Sequence, residues 1–447
     1  MKIAIAFLEP KPVKVGIRKT PIYFKYLDER LCEKYVVRKS ADTGRLSRTD
    51  DGAYEVGRDR IVEFLEERRV DFIYMMNSYG KETDERIRRA AFVLKNINFT
   101  PLYSKHPGEL NFIISKTDWY KLLRIHGKLN NAYVVYNPVD VTNWLSLRKR
   151  AKGSYRSRLK GARFIVGRVA RAEPSKWSFL IIKTLLELQR RRDYSHGFLF
   201  AGMPRLYRAT LKLLLNAKMR KNIVFLPELG SPKELAEFYS SIDLFWQASC
   251  IGESFGNVIA EAFCFCVPVM TDYKDFFRKS GGVNARLYNA QSELVDHSVN
   301  GAYCNTPGNV ISFLDGTTKE ELRRLGKNGS RKAETEYDIR RTAETMTRIM
   351  YDFLRARKGI PAEKRFARLQ RRPSAEELGA FESEYLKKLA LEKAKNRWGR
   401  MERFAYRIQN GLWRIIETSY LVCRKILRAM GMDIEKWAAV EHDATDD

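Results

Sequence analysis

Twice along its length this chain alternates short apolar runs with longer amphipathic stretches, and that alternation constrains its fold more than any other feature. In the first round the strand-like runs fall at residues 3–7, 71–75, 100–103, 112–115 and 132–136, with helical periodicity at 59–68 and 84–95. In the second round, runs at 163–168, 197–201, 222–226, 242–246 and 267–270 are separated by helical stretches such as 177–190 and 232–240. Alternation of this kind argues for parallel sheets with helices on both faces. The Asn137-Pro138 step ends one strand, since proline biases the residue before it toward extended backbone. Ligands of such sheets bind outside the carboxyl ends of the strands. Two units in tandem leave a cleft in which two substrates can meet.

The 447 residues suit two or three domains, and 44% hydrophobic content is ample for their cores. No run of about 18 apolar residues occurs, so no spanning helix is expected. The start, Met1 to Leu8, reads as a first strand and is too short for a secretory signal. Six cysteines without a Cys-x-x-Cys spacing read as buried free thiols in a reducing cytoplasm. The formal net charge of +28 favours anionic partners: phospholipid headgroups, lipid-linked phosphates, nucleic acid or nucleotides. Charge alone does not choose among them.

The stretch from Cys250 to Thr271 carries the clearest chemistry. It holds Glu253 and Glu261, eight residues apart. In one continuous helix they would lie about 80° apart at ~100° per residue. The layout expected instead is a loop carrying Glu253, with Gly256 and Asn257 opening a helix that has Glu261 in its second turn. The free N–H groups at Gly256, Asn257 and Val258 would then bind phosphate. Carboxylates beside a phosphate site point to a ligand with both phosphates and hydroxyls, a sugar nucleotide.

These residues, Glu253-Ser-Phe-Gly followed by Glu261-Ala and Pro268-Val269, resemble the Glu-x7-Glu signature of the family 4 glycosyltransferases. The resemblance covers about residues 1–355 and is strongest at 163–305. It implies the GT-B fold, an α/β architecture of two Rossmann-like doubly wound domains facing a cleft. The first, residues 1–150, would hold the acceptor, and the second, 151–337, the nucleotide sugar. A helix at 338–355 would cross back to the first domain, and 356–447 would be a basic amphipathic helical extension. By the resemblance, Glu253 lies near the transferred sugar, Glu261 bonds the ribose, and Arg168 and Lys176 bind the diphosphate. It also implies that Gly202 lets backbone approach the donor, that main chain at Glu228 and Leu229 contacts the base, and that His106 faces the sugar. Retention at the anomeric carbon is implied too.

The departures are specific. The family often has a Gly-Gly loop after the first strand, whereas residues 9–20 contain only Gly16, among Lys14, Arg18 and other cations. That loop suits an anionic acceptor, such as a lipid-linked diphosphate glycan. Trp177 replaces a glycine after Lys176, and Cys266-Val267 stands where a glycine usually precedes Pro-Val. No Asp-x-Asp motif follows a strand, so neither a divalent cation nor another cofactor is expected; the nucleoside-diphosphate sugar is a substrate.

The tail exceeds the family's core. From 355 to 429 it has 20 Lys+Arg against 8 Asp+Glu, with Trp398, Phe404, Trp413 and Leu421 among apolar residues at three- and four-residue spacing. A basic amphipathic helix at 375–430 fits an anionic membrane surface at the inner face of the membrane. The same stripe fits docking on the enzyme's own body or on a second subunit, and nucleic acid is a further partner for the charge. Two other functions stay open on this reading. One is glycosyl transfer to nucleic acid; the other is a binding protein on the same fold with dead chemistry.

Overall fold

A computed structural model describes residues 2–8, 24, 26–50, 52–75, 81–97, 108–119, 122, 129, 131–173, 176–191, 194–249, 252–272 and 290–358. The chain divides into two compact units, Met1–Phe381 and Glu382–Asp447, and everything described below belongs to the first.

The first sheet is built from β1 (Ile3–Leu8), β2 (Cys32–Lys39), β3 (Leu46–Arg48), β4 (Tyr54–Val56), β5 (Phe72–Met75), β6 (Phe92–Ile97), β7 (Leu110–Ile113) and β8 (Ala132–Val134), in spatial order 3-4-2-1-5-6-7-8. All neighbours are parallel except the β3–β4 edge pair. Helices α1 (Ile61–Glu67) and α2 (Lys81–Ala90) lie between strands, and α3 (Val141–Arg150) follows the last one. The periodicity expected as a helix over 84–95 ends early. The helix stops at Ala90, and Phe92-Val93-Leu94 begins β6 instead, because an apolar triplet beside β5 is buried in the sheet. The strand expected at 100–103 lies outside the described residues.

The second sheet holds β9 (Ile165–Val169), β10 (Gly197–Ala201), β11 (Ile223–Leu226), β12 (Leu244–Gln247), β13 (Val269–Thr271) and β14 (Gly301–Tyr303). Its order is β11-β10-β9-β12-β13-β14, wholly parallel. In chain order this is 3-2-1-4-5-6, the doubly wound dinucleotide-binding arrangement, whose direction reverses between β9 and β12. β9, β10 and β12 are buried along their whole length, as strands covered on both faces must be. The helices among and after them are α4 (Phe179–Leu188), α5 (Arg205–Leu214), α6 (Ala217–Lys221), α7 (Pro232–Ser241), α8 (Asn257–Cys264), α9 (Gln291–Leu294), α10 (Pro307–Gly316) and α11 (Lys319–Lys332). Ser231 and Glu234 close α7 with reciprocal side-chain-to-backbone bonds, and Pro232 opens it with its fixed φ.

After a π-helical turn at Ala333–Tyr337 comes α12 (Ile339–Arg357), whose Ile339, Ala343, Met346, Met350 and Phe353 pack with Ile3, Phe7, Phe72 and Phe112 of the first sheet. The chain therefore passes between the two sheets twice, and the passages are bonded to each other. Val139 N–H donates to Tyr337 O at 2.8 Å, and Ile339 N–H donates to Val139 O at 2.9 Å. Beside this junction Tyr136 lies against Phe255 and Tyr337, with ring centroids 6.0 and 5.3 Å away.

Candidate active site

The site forms where the second sheet reverses. Arg168 is the fourth residue of β9, and Gln247 is the last of β12. Arg168 is only 1% exposed, and its guanidinium lies over Trp177 and Phe245, 5.5 and 5.9 Å from their centroids. It donates to Gln247 Oε1 and, through Nη2 at 2.7 Å, to the Lys176 carbonyl. Burial draws its pKa down to about 10, against the opposing pull of the Glu253 and Asp272 carboxylates. Gln247 passes the polarity on: its Nε2 donates to Glu253 Oε1 at 3.0 Å. Lys176 Nζ meets the other oxygen of the same carboxylate at 3.0 Å. Lys176 and Glu253 are 19% and 15% exposed, so the pair is shielded without being sealed.

Arg168 was expected to meet a diphosphate directly. Its side chain is buried and bonded inside the protein through Nη1 and Nη2, where it aligns Gln247 and the backbone that carries Lys176. The long gap between Arg168 and Lys176 has a physical reason. Trp177, fully buried just past the gap, ties back to its start, where its Nε1 donates to Arg171 O at 3.0 Å. Where a glycine would leave the backbone loose, Trp177 anchors it.

Gly256 caps α8 with φ +98°, a left-handed conformation that suits glycine. The leading N–H groups of a helix have no partner within it, which leaves those of Asn257 and Val258 for a ligand. Asn137, across from α8, donates through Nδ2 to Asn257 Oδ1 at 3.4 Å. Glu261 sits in mid-helix, as the sequence predicts, but is 1% exposed. Its Oε2 accepts from the Tyr239 hydroxyl at 3.1 Å, so it is not presented as an open bidentate acceptor. Burial, and then the Glu261 carboxylate, push the Tyr239 hydroxyl well above its usual pKa and keep it a donor.

Gly202 has φ +73°, and a Cβ there would lie 2.0 Å from Ala170 O. Its N–H donates to Leu226 O at 3.2 Å and Pro227 O at 3.1 Å, so it draws the ends of β9, β10 and β11 together. On the same rim Glu228, exposed, accepts from Ala172 N–H at 3.1 Å, and Leu229 is half-buried. The structure thus brings together Arg168, Lys176, Glu253, Gly256 and Asn257, with Gly202 and Glu228 on the neighbouring loops. His106, Lys14, Gly16 and Arg18 lie outside the described residues. Among the described residues no group of three or more His, Cys, Asp or Glu converges as metal ligands would.

Three polar side chains bonded to the candidate site or near it are not singled out by the sequence. Gln247 had one visible signal, a polar residue ending an apolar buried strand at the ligand-facing edge. Tyr239 had none. Glu293 reaches across to the first sheet's half, where it accepts from the backbone N–H groups of Lys116, at 3.0 Å, and Thr117. Burial raises its pKa, opposed by these bonds. It is wired to the site, because Ala290 N–H donates to Glu253 O at 3.0 Å.

Residues 152–279 match the sequence model of the family described as glycosyl transferases group 1. No curated protein matches the sequence. Solved structures do match in shape. A glycosyltransferase from Rickettsia africae has a TM-score of 0.59 at 15% identity, covering 79% of this chain and 99% of the other. HepE from Anabaena, in complex with UDP-glucose, gives 0.55 at 14% identity, covering 79% and 100%. Sucrose-phosphate synthase from Thermosynechococcus elongatus gives 0.55 at 13% identity, again covering 79% and 100%. The two doubly wound sheets joined by a crossing helix are the GT-B fold.

Proposed function

We propose that this glycosyltransferase moves a sugar from a nucleoside-diphosphate sugar to an acceptor held by the first sheet's half of the molecule. The observation that supports it best is the Lys176–Glu253 ion pair, braced by Arg168 and Gln247, at the reversal point of a sheet inside the group 1 match. Transfer breaks the bond between the anomeric carbon and the β-phosphate oxygen. The diphosphate gains negative charge as it leaves. Lys176 and the N–H groups of Asn257 and Val258 would offset that charge in a shielded site. Glu253 would then orient the sugar, and Glu261 would accept from ribose hydroxyls once Tyr239 yields one of its oxygens.

On this reading the reaction follows family 4 chemistry with retention, and the departing phosphate takes the proton of the acceptor hydroxyl as its oxygen bonds to the anomeric carbon. Fixed cations and helix N–H groups do the work for which other enzymes use a metal. The acceptor is an anionic lipid-linked glycan or a polysaccharide, which suits the charge of +28. The basic extension at 375–430, outside the described residues, would hold the enzyme at an anionic membrane. The UDP-glucose bound to HepE makes UDP-sugars the first donors to try.

The test is release of nucleoside diphosphate from a panel of nucleotide sugars, with and without lipid-linked glycan. Release by the parent and its loss in Glu253→Gln supports the reading. Nucleotide binding without turnover on any donor would favour a binding protein with dead chemistry, and stimulation by nucleic acid rather than glycan would move the acceptor to that class.

A further inference from the structure

Among the described residues four large apolar side chains stand exposed, and three share one helix. Leu206, Leu213 and Leu214 of α5 are 47%, 83% and 47% exposed. The inward face of α5 is already satisfied: Tyr207 and Leu211 are buried against the second sheet's half. Leu206 and Leu213, seven residues apart, differ by about 20° around the helix and form one outward stripe. Leu214 extends it toward α6.

Every charged residue on these two helices is a cation. Arg205, Arg208 and Lys212 project from α5, and Lys218, Arg220 and Lys221 from α6; all but half-buried Arg208 are exposed. No Asp or Glu occurs from residue 194 to 227.

We infer that α5 and α6 form a docking surface for an anionic lipid bilayer, distinct from the extension past residue 358. Charge complementarity selects this occupant. A second copy would bring two sets of cations face to face. The chain's own extension past residue 358 also carries net positive charge, with 18 Lys+Arg against 14 Asp+Glu, and as a whole does not neutralise them. Nucleic acid would use the cations but leave three leucines in water. An anionic bilayer takes the leucines below its headgroups and the cations among its phosphates. The surface is fixed to the donor side of the molecule, since α5 begins three residues after Gly202. Docking would hold that half against the membrane.

The test is flotation of the full chain with phosphatidylglycerol-containing vesicles and with pure phosphatidylcholine vesicles. The expected result is flotation with the anionic vesicles alone, weakened by added salt. A Leu206→Gln/Leu213→Gln/Leu214→Gln variant should need at least about tenfold more lipid for half-binding. Its nucleotide affinity should be unchanged and its unfolding still cooperative, because these side chains are 47–83% exposed and none belongs to the site. Hydrogen exchange at 205–221 should slow on anionic vesicles. Unaltered flotation of the triple variant, or flotation without protection at 205–221, would assign binding to another part of the chain and overturn the inference. So would absence of binding to either vesicle, binding to duplex nucleic acid alone, or concentration-dependent dimers that the glutamines abolish.

Discussion

Lys176 Nζ and Glu253 Oε2 stand 3.0 Å apart across the reversal point of the second sheet, joined by side chains from two different connections. Neither is free to reorient alone. Arg168 holds the Lys176 carbonyl, and Gln247 holds the other oxygen of Glu253. On the proposed function, a donor diphosphate entering here would find a cation already placed and already compensated. Lys176→Ala should therefore weaken nucleoside-diphosphate binding by about 10- to 100-fold, the size of a lost charge-assisted bond. The free nucleoside should bind as before. Calorimetry with the two ligands separates this from general damage.

Gln247 is the hinge of the polar chain, and two substitutions read it differently. Gln247→Leu leaves buried Arg168 without its side-chain acceptor and should cost about 2–3 kcal/mol of stability, measured by denaturant unfolding. Gln247→Glu keeps an acceptor for Arg168 but sets a carboxylate against Glu253. It should fold at least as stably as Gln247→Leu yet lose sugar transfer.

Much of this was legible in the sequence. The run 197–201 is β10 because four apolar residues between Gly197 and a Gly-Met-Pro turn suit a strand buried on both faces. The loop with Glu253 and the helix with Glu261 emerged because Gly256 and Asn257 punctuate the chain. β2, Cys32–Lys39, did not emerge, since half its side chains are charged and only its pairing with β1 and β4 makes it a strand. The inward use of Arg168 was equally hidden. It depends on Gln247, 79 residues away in sequence, being the neighbour that β9–β12 pairing supplies. The contact between Glu293 and Lys116 spans 177 residues and belongs to tertiary structure alone.

Gly202 should not tolerate a side chain. Its φ is +73°, and the nearest obstacle is backbone, Ala170 O at 2.0 Å, which cannot swing aside. Gly202→Ala should cost about 1–3 kcal/mol and, by parting the ends of β9 and β10, weaken donor binding as well. Thermal unfolding and nucleotide titration read the two effects.

His196 provides a pH signature. It is 2% exposed, its ring centroid lies 4.3 Å from that of Phe164, and burial lowers its pKa below the usual 6.5. The unfolded chain then binds a proton that the folded chain refuses, so stability is full above pH ~6.5 and falls as the pH drops toward the folded pKa. The slope from this one group is at most about 1.4 kcal/mol per pH unit. His196→Leu should flatten unfolding free energy between pH ~7 and ~5 by up to that slope.

The most direct test of the central claim is calorimetry of the purified protein against UDP, GDP, ADP, TDP and CMP. The account predicts that one diphosphate nucleotide binds, that Lys176→Ala weakens it, and that Glu261→Ala abolishes it while the variant still unfolds cooperatively. Failure of every nucleotide to bind, or binding indifferent to both substitutions, would contradict the site described here.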